Sequence, residues 1–242
     1  MYKFFVEDNQ IENNEIKIIG DDLKHISNVL RIRIGEEILI TNKSTAETYK
    51  SKIKEINKNE AVCAIMGKEE NDTEPSVKVD IFQGIPKSDK METIIQKSVE
   101  LGVNKIFPIS MKNCVAKIKD DIKKQERWQK ISEAAAKQSK RNIIPSIEKS
   151  VDMKYLCSKI NEYDLVLVAY ENEDKKTIKD ILKNNKVEKI AIVVGPEGGL
   201  TEKEVEELIK CGAKAVSLGK RILRTETAPI AMLSMIMYEY DL

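Results

Sequence analysis

The pattern of apolar and polar residues divides the chain into two parts near residue 73. In the first part, short β-branched and apolar runs alternate with polar turn segments, which is typical of a small barrel or sandwich. The segment 68–75 (KEENDTEP) is polar and ends in proline, so it predicts a linker. One short helix is predicted at 21–30, and strands are predicted at residues 4–6, 15–19, 37–41, 48–56 and 61–66.

After residue 75 the hydrophobic period changes, and apolar strands alternate with amphipathic helices. The run 164–170 (DLVLVAY) is continuously apolar, as in a strand buried on both faces of a parallel sheet. Further strands are predicted at residues 77–85, 105–110, 189–194 and 215–218, and helices at 89–101, 119–140, 175–184, 201–211 and 226–240. This alternation predicts a parallel α/β domain from about residue 73 onward.

The boundaries of one helix are marked clearly. Thr201 and Glu204 form a capping-box pattern, and Leu200 with Val205 forms a hydrophobic staple. Gly212 ends this helix, and Gly102 follows an earlier helix where a left-handed C-terminal cap belongs. The helix after the GPEGG sequence therefore begins close to Thr201.

The helix at 119–140 combines an apolar face with many cations. Its apolar residues predict an inward face, which comprises Ile122, Trp128, Ile131 and Ala135. Residues 112–141 contain ten Lys and Arg against four Asp and Glu, a local net charge of +6. Such a face would suit a polyanion, although most charged helix faces are simply solvated.

Composition excludes several classes of protein. The 242 residues carry 41 basic and 40 acidic groups, so the net charge of +1 indicates no partner. The four widely spaced cysteines fit no common zinc pattern and are typical of reduced thiols. One histidine, His25, is expected to pack or cap rather than bind metal. No signal-peptide pattern or run of about 18 apolar residues is present. We therefore expect a cytoplasmic protein with no metal and no membrane segment.

Two glycine-bearing loops each follow a predicted strand. They are GPEGG at 195–199 and SLGKRILRTETA at 217–228. Open α/β sheets bind ligands at the carboxyl ends of their strands. The first loop precedes a helix N-terminus and could hold a phosphate, a carboxylate or a nucleoside. The alternative is a sharp turn that merely requires glycine. GPEGG matches neither the P-loop nor the dinucleotide fingerprint.

The second loop places charged and apolar side chains together. Lys220, Arg221 and Arg224 flank Ile222 and Leu223. This mixture suits a ligand with a flat heterocycle and polar ends. A solvated charged turn is the alternative.

Five segments in chain order resemble a known family. The segments HISNVLRIRIGEE, QGIPKSDKMETIIQKSVELGV, EAAAKQSKRNIIP, GPEGGLTEKE and SLGKRILRTETA look like the successive motifs of RsmE-type methyltransferases of the SPOUT superfamily. That family methylates ring nitrogen 3 of a uridine in small-subunit (16S) ribosomal RNA. The resemblance implies an RNA-binding PUA-like β-barrel at 1–72 and a SPOUT α/β domain with a C-terminal trefoil knot at 73–242.

The resemblance also implies S-adenosylmethionine as the methyl donor and a homodimer with active sites at its interface. The donor should be held at three strand ends by Leu167, Val168, Ala169, Tyr170, Glu171, Val194, Gly195, Pro196, Glu197, Gly198, Gly199, Leu218, Gly219, Ile222, Leu223, Thr225 and Ala228. RNA should contact the cations Lys3, Arg31, Arg33, Lys87, Lys90, Lys137 and Arg141. Lys3 and Lys137 depart from the family, which usually carries arginine and an acidic residue there.

The substrate chemistry then assigns roles. A sulfonium methyl is a strong electrophile, whereas the imide nitrogen of uridine must lose its proton before it attacks. We expect Arg224 to stabilise the charge that develops on a uridine carbonyl oxygen. Glu226 or Glu197 could accept the proton, and the choice is open. Two alternatives are a non-catalytic RNA-binding module and a knotted methyltransferase that acts on transfer RNA or on a ribose hydroxyl.

Overall fold

The computed structural model describes residues 1–70, 73–115, 121–183 and 187–241, which form two compact units. The first unit comprises Met1–Glu74 with Ala136–Ile144, and the second comprises Pro75–Ala135 with Pro145–Leu242. The grouping of 136–144 with the first unit was not anticipated from the sequence. The expected boundary at 72/73 adjoins residues 71–72, which lie outside the described residues, and it stays a prediction.

The first unit is a mixed six-stranded sheet in the order β1-β4-β5-β6-β3-β2, with only the β1–β4 pair parallel. Its strands are β1 (Lys3–Val6), β2 (Ile11–Glu12), β3 (Glu15–Ile18), β4 (Glu37–Asn42), β5 (Thr48–Ile56) and β6 (Ala61–Glu69). The five predicted strands are confirmed, and β6 runs into the predicted linker. A short helix α1 (Gly20–Lys24) continues into a π-helical turn (His25–Leu30), so the helix predicted at 21–30 is confirmed.

The core of this unit follows from alternation along the strands. Side chains of successive residues point to opposite faces of a strand. Ile16 and Ile18 of β3 and Ile38 and Ile40 of β4 are therefore buried together, and Phe4 of β1 packs with them. His25 is exposed and makes an edge contact with the Phe4 ring.

The second unit is a parallel six-stranded sheet in the order β12-β10-β11-β7-β8-β9. Its strands are β7 (Lys78–Gly84), β8 (Lys105–Ile109), β9 (Ser146–Ile147), β10 (Leu165–Ala169), β11 (Lys189–Val194) and β12 (Lys214–Val216). Its helices are α2 (Lys90–Glu100), α3 (Asp121–Ser139), which runs on into the first unit, α4 (Met153–Lys159), α5 (Ile178–Leu182), α6 (Glu202–Cys211) and α7 (Thr227–Tyr240). The predicted parallel α/β organisation is confirmed. The sequence patterns missed α4 and the two-residue strands β2 and β9.

The predicted limits of α6 are confirmed in atomic detail. Glu204 N donates to Thr201 Oγ1, and Thr201 N donates to Glu204 Oε2 at 2.8 Å, which completes the capping box. Gly212 ends the helix in the left-handed region at φ +116°. The start of α6 fixes where the preceding GPEGG loop must turn.

One expectation about α3 is wrong. Trp128 and Ala135 are buried and Ile131 is half-buried, but Ile122 is 61% exposed. Ile122 lies six residues before Trp128, which places it about 120° around the helix from that side chain. The residues at 119–120, where the predicted helix began, lie outside the described residues.

Among the described residues, no helix is long and apolar enough to cross a bilayer. Within the same ranges, no group of three or more His, Cys, Asp and Glu side chains is placed to hold a metal ion.

Candidate active site

Three strand-end loops of the second unit surround a cavity of about 370 Å³. The loops follow the carboxyl ends of the neighbouring strands β10, β11 and β12. Its wall contains main-chain groups, apolar side chains and a few charges, from Lys90, Ala169, Tyr170, Glu171, Val194, Gly195, Pro196, Glu197, Gly199, Leu200, Ser217, Leu218, Gly219, Lys220, Arg221, Ile222, Leu223, Arg224, Thr225 and Ala228.

The GPEGG loop requires glycine because its backbone packs closely. A Cβ on Gly195 would lie 2.9 Å from the carbonyl carbon of Gly199, and Gly199 itself has φ +67°. A Cβ on Gly84, at the end of β7, would lie 2.6 Å from the Pro196 nitrogen. The tight turn and the ligand wall are thus the same structure, so the two interpretations of this loop do not exclude each other.

Thr225 ties the second loop to the first. Its hydroxyl donates to the Gly195 carbonyl oxygen at 2.7 Å and accepts from Gln83 Nε2 at 3.0 Å. Both side chains are buried, and Gln83 lies on β7. These bonds bring three chain segments together at one end of the sheet and fix the cavity floor.

A chain of alternating charges lies at the cavity. Lys90 Nζ is 3.1 Å from Glu197 Oε1 and 3.3 Å from Glu226 Oε2. Glu226 Oε1 is in turn 4.0 Å from Arg224 Nη1. The contact at Glu226 Oε2 is an ion pair rather than a well-aligned hydrogen bond. The structure thus brings together all three predicted catalytic residues and adds Lys90, which had been assigned to RNA.

The surroundings of two of these groups shift their pKa values. Burial by itself would raise the pKa of the Glu197 carboxyl, but hydrogen bonds from backbone N–H groups and from Lys90 lower it below its ordinary value. The hydrogen bond to Glu197 raises the pKa of the Lys90 ammonium, with a smaller contribution from Glu226. Both groups are therefore charged at neutral pH, and Glu197 is a weak base.

Most residues expected to hold the donor lie in the cavity wall, with three exceptions. Leu167 and Val168 are fully buried in the interior of β10, because a central parallel strand is covered on both faces. Gly198 faces Asn113, whose Nδ2 donates to its carbonyl oxygen at 2.9 Å. Four further wall residues were not among the expected site residues: Leu200, which directly follows the GPEGG loop, and Ser217, Lys220 and Arg221 of the second loop.

Two expected RNA contacts in the first unit are engaged in ion pairs. Lys137 Nζ is 2.7 Å from Asp22 Oδ1, and both side chains are mostly buried. Arg141 is buried against the Glu74 carboxylate. Both cations are thus paired within the first unit, and their expected contacts with RNA stay predictions.

Lys3 is also an interior residue. It is 4% exposed, and its ammonium donates to the Lys140 carbonyl oxygen at 3.0 Å and to Asn142 Oδ1. Burial lowers the pKa of the Lys3 ammonium to about 8, against an opposing effect of Glu74. Lys3 is thus enclosed within the first unit, and its expected contact with RNA stays a prediction.

Three of the expected RNA contacts are exposed. Arg31 and Arg33 flank the buried Ile32 in the first unit, and Arg31 has φ +52° at the end of the π-helical turn. Lys87 is exposed in the second unit, where its backbone N–H donates to Glu197. These cations stay candidates for RNA contact.

Comparison with known proteins defines the class. Residues 73–237 match a model described as an RNA methyltransferase domain, and residues 18–66 match an RNA methyltransferase PUA domain. The fold and the cavity are thus those of an RNA methyltransferase that carries a PUA domain.

Individual relatives narrow the class to one family. Ribosomal RNA small subunit methyltransferase E of Bacillus subtilis is 37% identical over 252 aligned positions, which cover 100% of this chain and 98% of that protein. The structure of the Neisseria gonorrhoeae protein of the same name, bound to S-adenosyl methionine, superposes with a TM-score of 0.91 at 31% identity and covers 99% of this chain and 98% of its own. A Legionella pneumophila methyltransferase in complex with the same cofactor gives a TM-score of 0.88 at 28% identity, with 98% and 97% covered. The chain belongs to the ribosomal RNA small subunit methyltransferase E family, as its motifs predicted.

Proposed function

We propose that this protein transfers a methyl group from S-adenosylmethionine to ring nitrogen 3 of one uridine in 16S ribosomal RNA. The observation that carries the proposal is the strand-end cavity with Lys90, Glu197 and Arg224 in its wall, where Glu226 pairs with both Lys90 and Arg224. Relatives named for small-subunit ribosomal RNA methylation support the substrate.

The cavity fits the donor chemically. The donor is a nucleoside with a charged amino-acid tail. Its adenine needs apolar contacts, and its hydroxyls and ammonium need main-chain groups and carboxylates as hydrogen-bond partners. Leu218, Ile222 and Leu223 offer the apolar surface, and Glu171 offers a carboxylate beside Gly199. Gly219 has φ +112°, and a Cβ there would meet no atom of the described residues within 4 Å, so this part of the wall is open to a ligand. The donor supplies an electrophilic methyl on a sulfonium.

The side chains prepare the uridine for attack. Arg224 is 82% exposed on its side chain, so its guanidinium can reach a carbonyl oxygen of a base that has left its stack. Its charge stabilises the anion that forms when the imide proton departs. Glu226 is the proposed proton acceptor. Both carboxylates pair with Lys90, but Glu197 also accepts from the Lys87 N–H and has a lowered pKa.

The remaining expectations form part of the same proposal. Arg31 and Arg33 in the PUA domain and Lys87 near the cavity contact RNA phosphates, and the substrate places the enzyme in the cytoplasm with the small ribosomal subunit. A homodimer accounts for the apolar residues on α7 that stay exposed, Met235 and Tyr238. Light scattering tests this: a mass of twice 27.5 kDa is expected, and the monomer mass would contradict it.

We also propose the C-terminal trefoil knot. The chain leaves β12 at the sheet edge, returns to Gly195 through Thr225, and then packs α7 against β7 and β11. The chain thus crosses β7 and β11, two strands that come earlier in the sequence, and this path supports a threaded topology. Pulling the chain from both ends tests it. An extended length shorter than about 3.3–3.6 Å per residue is expected, because a tightened knot retains residues; the full length would contradict threading.

Methyl transfer in vitro tests the function. Purified protein is incubated with methyl-labelled S-adenosylmethionine and small subunits from cells that lack the protein, and the RNA is digested to nucleosides. Label in N3-methyluridine is the expected result. Absence of donor binding in calorimetry would favour a non-catalytic RNA-binding module. Label on a ribose, or label confined to transfer RNA, would favour a different knotted methyltransferase.

A further inference from the structure

The Lys90 ammonium lies between carboxylates of two different loops. Glu197 belongs to the loop after β11, and Glu226 stands at the end of the loop after β12. Lys90 begins α2, so one cation joins a helix start to both glycine-bearing loops. An ammonium with two carboxylate partners has few N–H donors left for a phosphate, and the two carboxylate charges repel a phosphate.

The Lys90 ammonium is linked to Arg224 through Glu226. Glu226 Oε2 is buried and pairs with Lys90, whereas Oε1 of the same carboxylate faces Arg224 at 4.0 Å. A carboxylate held at one oxygen has its other oxygen fixed in direction. Lys90 thus restrains one oxygen of the Glu226 carboxylate, and the other oxygen is the one that faces the exposed guanidinium.

We infer that Lys90 is a positioning residue for the methyl transfer, which acts through Glu226 on Arg224, and that it is not a ligand for RNA phosphate. The inference rests on the proposed function, since it assigns a role within that reaction. The two roles predict different measurements. Loss of a phosphate contact weakens RNA binding and lowers its salt slope. Loss of a positioning contact slows the chemical step and leaves binding unchanged.

The test compares variants of the full-length protein. Lys90→Met removes the ammonium and keeps a long apolar side chain. Its single-turnover rate is expected to fall about 10²-fold, the effect of a misplaced reacting group, while the dissociation constants for S-adenosylmethionine and RNA stay within about twofold of wild type. Lys90→Arg should recover part of the rate. Lys97→Met is the matched control, because Lys97 lies on the same helix and pairs locally with Glu100; it should behave as wild type.

A double variant tests whether Lys90 works through Glu226. If it does, the single-turnover rate of the double variant Lys90→Met, Glu226→Gln should lie within about threefold of the rate of the slower single variant, because the effects of coupled residues are not additive. A double-variant rate that falls by the product of the two single effects would show that Lys90 does not act through Glu226. Should Lys90→Met fail to fold in a thermal melt, Lys90→Gln carries the same expectation.

The contradicting results are distinct from a failure of the proposed function. A wild-type rate for Lys90→Met, with weaker RNA binding and a salt slope lowered by about 0.7 to 0.9, would assign Lys90 to the phosphate backbone and overturn the inference. A wild-type protein that forms no N3-methyluridine would instead overturn the proposed function.

Discussion

At the scale of single residues, the side chains that matter differ in how much the fold constrains them. Arg224 projects from its loop and is bordered by the Glu226 carboxylate. Lys3, by contrast, is enclosed by its own unit. A substitution at an exposed side chain removes chemistry without leaving a cavity, whereas one at an enclosed side chain also changes stability. The two positions therefore allow separate tests of function and of folding.

Arg224→Ala should abolish methyl transfer and leave donor binding largely intact. The guanidinium stabilises charge on the uridine, and its removal disturbs none of the apolar contacts that hold the donor. Calorimetry with S-adenosylmethionine and single-turnover methylation separate the two effects. Arg224→Lys, which keeps the charge but loses the planar donor geometry, should retain a fraction of the rate. A variant that no longer binds donor would refute the assigned role.

Lys3 should make stability depend on pH above neutrality. Its pKa falls from 10.5 to about 8 on folding, so between these values the unfolded chain binds more protons than the folded chain. Stability from this group therefore rises as pH increases through that window. The free energy of unfolding of wild type minus that of Lys3→Met should increase between pH 8 and pH 10.5 in denaturant titrations. A difference that is flat or falls over this range would contradict the interior position of the ammonium.

At the scale of elements, the cavity depends on how the strand-end loops are tied to one another. Thr225 provides one such tie, through Gln83 of β7 and the carbonyl oxygen of Gly195. Buried hydrogen-bonding groups that lose a partner cost about 1–3 kcal/mol. The two loops are thus fixed relative to each other by buried side chains for which we propose no role in the reaction.

Thr225→Val should weaken S-adenosylmethionine binding about tenfold, equivalent to about 1.4 kcal/mol. Valine keeps the shape but cannot donate to Gly195 or accept from Gln83. Thr227→Val is the matched control, because Thr227 is exposed two residues further on, at the start of α7. Calorimetry should show near-wild-type affinity for the control. Equal affinities of the two variants for S-adenosylmethionine would show that the Thr225 hydrogen bonds do not shape the cavity.

Element positions were well predicted from sequence where caps and continuous apolar runs marked them. The Thr201 box and Gly212 located α6, and DLVLVAY located β10. The short helix α4 was missed because seven residues give too little periodicity to distinguish a helix. Ile122 was placed inward wrongly, because its six-residue spacing from Trp128 puts it about 120° away around the helix.

At the scale of the whole molecule, the two units contribute different functions. The second unit contains the proposed donor cavity and the charge chain, and the first presents the exposed Arg31 and Arg33. The sequence identified both groups through family motifs. It could not separate these arginines from Lys3 and Arg141, because only the fold brings Lys140, Asn142 and Glu74 against those two cations.

Arg31→Ala and Arg33→Ala should each weaken RNA binding and lower the salt slope by about 0.7 to 0.9, since each removes one phosphate contact. Donor affinity should not change, because the cavity lies in the other unit. Binding isotherms at several salt concentrations measure the slope. An unchanged slope in both variants would exclude these arginines from the RNA contact surface.

The central claim is that this protein forms N3-methyluridine in 16S ribosomal RNA. Mass-spectrometric mapping of 16S RNA from cells with and without the gene measures this directly. We expect one uridine to lose its N3 methyl group in the deletion strain and to regain it when the wild-type protein is restored, but not when the Arg224→Ala protein is supplied. A 16S RNA methylation pattern that is identical with and without the gene would contradict the account.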